Sequence, residues 1–344
     1  MNAAKLSLQQ LPLVDVSPLV SADKHAVAPE QKAQILADMR TACLETGFFT
    51  VPTKGVLSSQ LIEAAYTRAD EFLALPEAVK LQYHCKRTPN ARGWTPMFEE
   101  PSPDVVSHLE GFDLARELPA TYIQEGSSLG PNIWPAEVPR FQEDVYALYE
   151  ETTKLSHVLF RSFAEMFDLP PETFLVRISC VFSMPRHCAS HCTKRGYCCA
   201  KQQHVSEEAE AFMRLLTYPE THVAVKNSTV GIASHTDFEC FTIIHQNGEG
   251  LHLLNRQGNW IEAPVCDDRY GTEAVHRVCN SEKKRQSIVR FNGADGDTVV
   301  APLPTFVSAE NPPRYASMTQ REHITHQIDL AEQLLQQTKA AQAS

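Results

Sequence analysis

From Phe212 onward the chain is written in short apolar runs broken by turn residues: Phe212 to Tyr218, Phe241 to His245, Leu251 to Leu254, Trp260 to Ala263 and Ser287 to Phe291. Runs this short, bounded by Gly, Asn, Asp and Pro, read as strands rather than helices. Ahead of them the period is helical. Ile35, Leu36, Met39, Cys43 and Leu44 mark a helix from Pro29 to Thr46, stopped by Gly47. Similar spacing predicts helices from Ser58 to Leu75 and Pro139 to Leu169, and a last one from Arg321 to Gln337. Leu11 to Ser17 and Phe48 to Val51 read as short strands, and the Pro- and Gly-rich stretch Thr88 to Gly130 as loops with short strands. Many short strands backed by helices predict a mainly β fold with flanking helices, whose core is a double-stranded β-helix, the cupin-like jelly-roll.

That pattern divides the chain into an N-terminal helical and mixed region (1–175), a Cys-rich insertion (176–206), the jelly-roll core (207–310) and a C-terminal helix (311–344). No internal repeat and no phosphate-binding loop stands out; Gly248-Glu-Gly250 is a turn between two strands. At 344 residues, with 43% apolar and 21% charged residues, a substantial core is expected. The net charge of −11 argues against nucleic acid or an anionic membrane as the main partner and says little about small-molecule substrates. The N-terminal residues form no apolar leader and no run is long enough to span a bilayer, so a cytoplasmic location is expected.

Ser234-His235-Thr236-Asp237 places two metal-ligating side chains at i and i+2, on one face of an extended strand. A histidine from another strand would complete a facial triad that leaves three positions of an iron(II) ion open. His276, inside Ala274-Val-His-Arg-Val278, is the best candidate; His222, His245 and His252 are also near in sequence. The alternative for His-x-Asp is a strand end with two solvated polar residues. Nine residues after His276, Arg285-Gln-Ser287 is a second i, i+2 pair, and an arginine fork with a hydroxyl can receive a terminal carboxylate. A surface Arg beside a Ser is the alternative there.

In this order, His-x-Asp, a distal His-Arg-Val and Arg-x-Ser resemble the 2-oxoglutarate/iron(II) dioxygenases related to isopenicillin N synthase. Gly250-Leu-His-Leu-Leu-Asn255, Gly258-Asn-Trp260-Ile, Asp297-Thr-Val-Val300 and Pro302-Leu-Pro304 resemble the flanks of those motifs. So do the N-terminal pieces Leu13-Val-Asp15, Glu45-Thr-Gly47-Phe-Phe, Phe72-Leu-Ala-Leu-Pro76 with Lys80, and Arg92-Gly93. The resemblance implies iron(II) held by His235, Asp237 and His276, with 2-oxoglutarate as cosubstrate and dioxygen as oxidant. Its distal carboxylate would rest on Arg285 and Ser287, and Tyr218 sits where many relatives place a further contact; a core tyrosine is the alternative. The implied activity is hydroxylation or desaturation of a small organic molecule in specialised metabolism. An iron oxidase of the same fold that does not use 2-oxoglutarate, and a catalytically dead binding protein, are the competing readings. Phe98, Phe112, Phe238 and Phe291 are candidates for an apolar substrate pocket, or for plain core.

Two stretches depart from the resemblance. Val176 to Val205 holds no acidic residue, five basic ones and five of the ten cysteines: Cys180, Cys188, Cys192, Cys198 and Cys199. With His187 and His191 these could ligate zinc, although the spacing fits no standard module; an insertion or translated intron sequence is the other reading. Between Asp237 and His276, Ala263-Pro-Val-Cys-Asp-Asp268 runs almost directly into Arg269-Tyr270, so that one strand and its hairpin are missing. A core strand deleted from a barrel leaves an unpaired edge, which predicts poor folding or weak iron binding.

Overall fold

The computed structural model describes residues 11–21, 27–99, 106–122, 129–175, 209–221, 229–263, 275–303 and 306–343. The helices are α1 (Ser17–Val20), α2 (Pro29–Glu45), α3 (Ser59–Leu73), α4 (Glu77–Lys80), α5 (Phe141–Met166) and α6 (Gln320–Ala343). The strands are β1 (Gly93–Thr95), β2 (Val106–Ser107), β3 (Glu110–Ala115), β4 (Phe212–Tyr218), β5 (Thr229–Val230), β6 (Ile232–His235), β7 (Phe241–Gln246), β8 (Leu251–Leu254), β9 (Trp260–Glu262), β10 (His276–Val278), β11 (Arg285–Asn292), β12 (Val299–Val300) and β13 (Met318–Thr319). Local chemistry explains the helix ends. Pro29 opens α2 and Gly47, at φ +75°, follows its end. The Ser58 hydroxyl caps α3 by accepting the Leu61 N–H at 3.3 Å.

Two sheets form the core. The larger has the order β1-β3-β4-β11-β7, and the smaller β6-β10-β8-β9; the pairings within both are antiparallel. β1 and β3 fall in Thr88 to Gly130, the stretch that reads as loops with short strands, and they widen the larger sheet ahead of residue 207. Leu11 to Ser17 and Phe48 to Val51 form no sheet of their own. They meet in one parallel bridge, Leu13 to Thr50.

Strand alternation sorts the side chains into two cores. Ile288 of β11, Met213 and Leu215 of β4 and Phe112 of β3 face outward, packing with Phe72 of α3 and Phe141 and Leu148 of α5. Phe112 therefore belongs to the sheet–helix core and not to a pocket between the sheets. Leu216, Tyr218 and Val289 face inward, where they meet Leu251, Leu253 and Val278 of the smaller sheet. That second core is the interior of the jelly-roll.

Among the described residues the larger sheet ends at β7, with no strand beyond it. The expected gap before His276 falls on residues 264–274, and the Cys-rich insertion is 176–206; both lie outside the described residues. No helix among the described residues is long and apolar enough to cross a membrane.

Candidate active site

His235 ends β6 and His276 begins β10, and the antiparallel register sets them directly opposite. Their rings lie 4.2 Å apart, centre to centre. Asp237, two residues past His235, enters from the loop, and its Oδ1 is 3.5 Å from His235 Nε2 and 3.7 Å from His276 Nε2. One ligand atom from each of the three side chains lies within 4.8 Å of the other two. The sequence separates these residues by up to about forty positions; pairing of two three- and four-residue strands brings them together.

The hydrogen bonds prepare the donors. His235 Nδ1 is 2.8 Å from the Ala233 carbonyl, which can only accept, so Nδ1 carries a proton and Nε2 is the nitrogen turned toward the cluster. Thr242 of β7 donates to Asp237 Oδ2 at 2.5 Å. Burial alone would raise the Asp237 carboxyl. The hydrogen bond from His235, the nearby His276 and the Thr242 hydroxyl outweigh it and hold the group below the usual carboxylate range. Its neighbour Glu239 behaves oppositely: burial, then the charge of Asp237, push it up to about 7. The Asp237 side chain is 4% exposed and His235 34%, so the cluster opens to solvent on the His235 side. Phe48 packs edge-on against the His276 ring at 6.3 Å.

The other nearby histidines are engaged elsewhere. His245 Nδ1 meets the Tyr66 hydroxyl at 2.7 Å on the helix side of the larger sheet. His252 Nδ1 lies 3.3 Å from Cys279 Sγ. Arg277 points away from His276, with its guanidinium 4.1 Å over Trp260. His222 lies outside the described residues.

Arg285 and Ser287 occupy the inward face of β11, the face that also carries Val289. Both are 1% exposed. Tyr218 is the register partner of Arg285 on β4, and the guanidinium lies 4.4 Å over its ring. Arg285 Nη2 donates to Gln246 Oε1 at 2.7 Å. Its Nε and Nη1, and Ser287 Oγ, are buried with no hydrogen-bond partner. A buried cation with two unused donor atoms beside an unused hydroxyl is costly unless an anion binds there. A carboxylate has the charge to offset the cation and the acceptor oxygens to take an arginine donor together with the hydroxyl.

The two clusters face the same interior. His276 shares its strand face with Val278, Arg285 and Ser287 share theirs with Val289, and Val278 and Val289 belong to one apolar cluster. Thr242 ties the larger sheet to Asp237. The donor set suits a divalent transition metal with open positions, and the orphaned polar atoms suit an anionic ligand of that metal.

Sequence reasoning passed over Thr242 and Gln246. The i+2 alternation along Phe241–Gln246 was the available signal, because it places Thr242, Ile244 and Gln246 on the inward face. Of the aromatic candidates, Phe291 stacks on Phe212 at 4.7 Å, Phe98 is an exposed residue stacked on His108, and Phe238 contacts His323.

Residues 11–137 match the family described as non-haem dioxygenase in morphine synthesis, N-terminal. Clavatol oxidase from Penicillium crustosum is 27% identical over 338 residues, covering 88% of this chain and 90% of the relative. A 2-oxoglutarate-dependent dioxygenase from Aspergillus niger is 26% identical over 287 residues, covering 80% of this chain and 79% of its own. A full-length Neurospora crassa protein crystallised with α-ketoglutarate and thymine superposes with a TM-score of 0.71 at 17% identity, covering 98% of this chain and 99% of that one.

Proposed function

We propose that this chain works as a 2-oxoglutarate/iron(II)-dependent dioxygenase, as the proteins it resembles are named, with His235, Asp237 and His276 holding the iron while Arg285, Ser287 and Tyr218 receive the distal carboxylate of 2-oxoglutarate. When bound, iron and cosubstrate supply oxidative chemistry in which 2-oxoglutarate and dioxygen become succinate and carbon dioxide as a substrate C–H bond is oxidised. The chain's own residues do the rest. Asp237 is held as the anion by its neighbours, and His235 offers Nε2 because Ala233 holds the proton on Nδ1. Arg285 supplies a fixed positive charge and Ser287 a hydroxyl. The apolar layer of Leu216, Leu251, Leu253 and Val289 excludes water from the same interior. Phe48, edge-on to His276, forms part of the wall beside the metal position.

The substrate we propose is a small organic molecule of specialised metabolism, oxidised by hydroxylation or desaturation. The observation that carries the reading is the pair of unsatisfied buried groups, Arg285 and Ser287, in the interior that the His/Asp/His cluster also faces. An oxidase working without 2-oxoglutarate would keep the metal donors but needs another anion for that pair. A dead binding protein would have no use for three ligand atoms within 4.8 Å.

Mixing the protein with iron(II) and 2-oxoglutarate without oxygen tests the reading through the visible metal-to-ligand charge-transfer band. The expected result is a band that His235→Ala removes and Arg285→Ala weakens. Folded protein that develops no band would sink the assignment.

A further inference from the structure

Among the side chains that touch neither the metal position nor the orphaned donors, Gln246 has the most specific geometry. It is fully buried, at 0% exposure, on the inward face of β7. Its Oε1 accepts from Arg285 Nη2 at 2.7 Å, while its Nε2 reaches the Ala263 carbonyl at 3.4 Å. The carbonyl can only accept, so the amide is oriented with its oxygen toward the arginine. On the other side the Tyr218 ring lies 4.4 Å under the guanidinium. The stem is confined as well. A Cβ on Gly248 would lie 2.7 Å from Arg285 Cβ, and one on Gly250 would lie 3.6 Å from Arg285 Cδ.

We infer that Gln246 is a positioning residue for cosubstrate binding: a neutral acceptor that occupies Nη2 of Arg285 and thereby fixes the plane in which the remaining N–H groups, with Ser287 Oγ, meet the cosubstrate carboxylate. The inference rests on the proposed 2-oxoglutarate site. Neutrality is the essential property. A carboxylate in the same place would hold the arginine equally well, but it would neutralise the charge and repel the incoming anion. An apolar side chain of the same length would leave the guanidinium buried, unanchored and free to turn its donors away. Gln246 thus binds Arg285 without competing for its charge, which explains why an amide rather than Asp or Glu faces a buried arginine here.

The test measures the anaerobic affinity of the iron(II)-loaded protein for 2-oxoglutarate, read from the charge-transfer band, and separately its affinity for iron(II). Wild type is compared with Gln246→Met and Gln246→Glu. Both variants are expected to bind 2-oxoglutarate roughly tenfold or more weakly, Gln246→Glu at least as weakly as Gln246→Met, with iron affinity within about twofold of wild type. A purely structural glutamine would instead be rescued by the near-isosteric Glu, and that result overturns the inference. So does unchanged 2-oxoglutarate affinity in both folded variants while the wild-type band is normal. If wild type itself shows no band, the cosubstrate reading fails and this inference falls with it, so the two failures are told apart by the wild-type trace alone.

Discussion

On the proposed reading, Arg285 is a residue retained for ligand binding and not for folding. It is 1% exposed and makes no ion pair among the described residues, so its charge is desolvated with only an amide and an aromatic face as compensation. Removing a buried unpaired charge relieves that cost. Arg285→Met is therefore expected to leave the cosubstrate-free protein as stable as wild type or more stable by about 1–2 kcal/mol, while 2-oxoglutarate affinity collapses. Chemical denaturation beside a binding titration checks both halves; a variant that loses stability and keeps its affinity would refute the account. Thr242 has the opposite character, since its hydroxyl stabilises a buried anion. Thr242→Val keeps the shape and deletes the donor, and iron(II) affinity is expected to fall about tenfold. A competition titration against a chelator reads it directly, and an unchanged constant would show that the hydroxyl does not matter to the metal donors.

At the scale of elements, the site depends on how closely the short strands approach. Gly231, just before β6, is the tightest example near the proposed metal donors. A Cβ there would fall 2.7 Å from Val278 Cγ1 and 3.0 Å from both the Val278 carbonyl oxygen and Tyr218 Cδ1. The carbonyl cannot move without shifting β10, which carries His276. Gly231→Ala is expected to destabilise the protein by about 1–3 kcal/mol through overpacking, and to weaken metal binding because β6 and β10 are forced apart. Thermal unfolding with and without iron measures both effects; a variant that melts like wild type would mean the strands can give way freely. The sequence reading located β4, β7, β8, β9, β10 and β11 to within a few residues, because their period-2 patterns and turn residues are local properties. It treated Leu11 to Ser17 and Phe48 to Val51 as strands, whereas the structure joins them by one bridge. Nothing local states whether a β-prone run will find a partner.

For the whole molecule, two terms oppose each other. The larger sheet ends at β7 among the described residues, and Phe241–Gln246 is an uncharged strand of high β propensity, a poor choice for a sheet edge. Against this stands linkage: ligands that bind only the folded chain stabilise it by about 2.7 kcal/mol each at a hundred times their dissociation constant. Iron(II) and 2-oxoglutarate together are expected to raise the melting temperature by several degrees, and a chelator to reverse the shift. That outcome would count against the weak iron binding expected from the shortened segment before His276. A cooperative transition indifferent to both ligands would uphold it.

His-x-Asp, His-Arg-Val and Arg-x-Ser, in that order and with strand alternation around them, were enough to name the ligand candidates and the jelly-roll, because residue type and i, i+2 spacing decide which side chains can share a face. The sequence also carried the turn at Gly248 and Gly250, though not its use in making room for the arginine stem. Only the tertiary structure decided that Phe112 would join the helix-packed core, that β1 and β3 would widen the sheet, and that Thr242 and Gln246 would meet Asp237 and Arg285. The reason is physical. Facing a partner within a strand is set by local backbone geometry, whereas meeting a partner across two sheets depends on register and packing, which the whole chain settles at once.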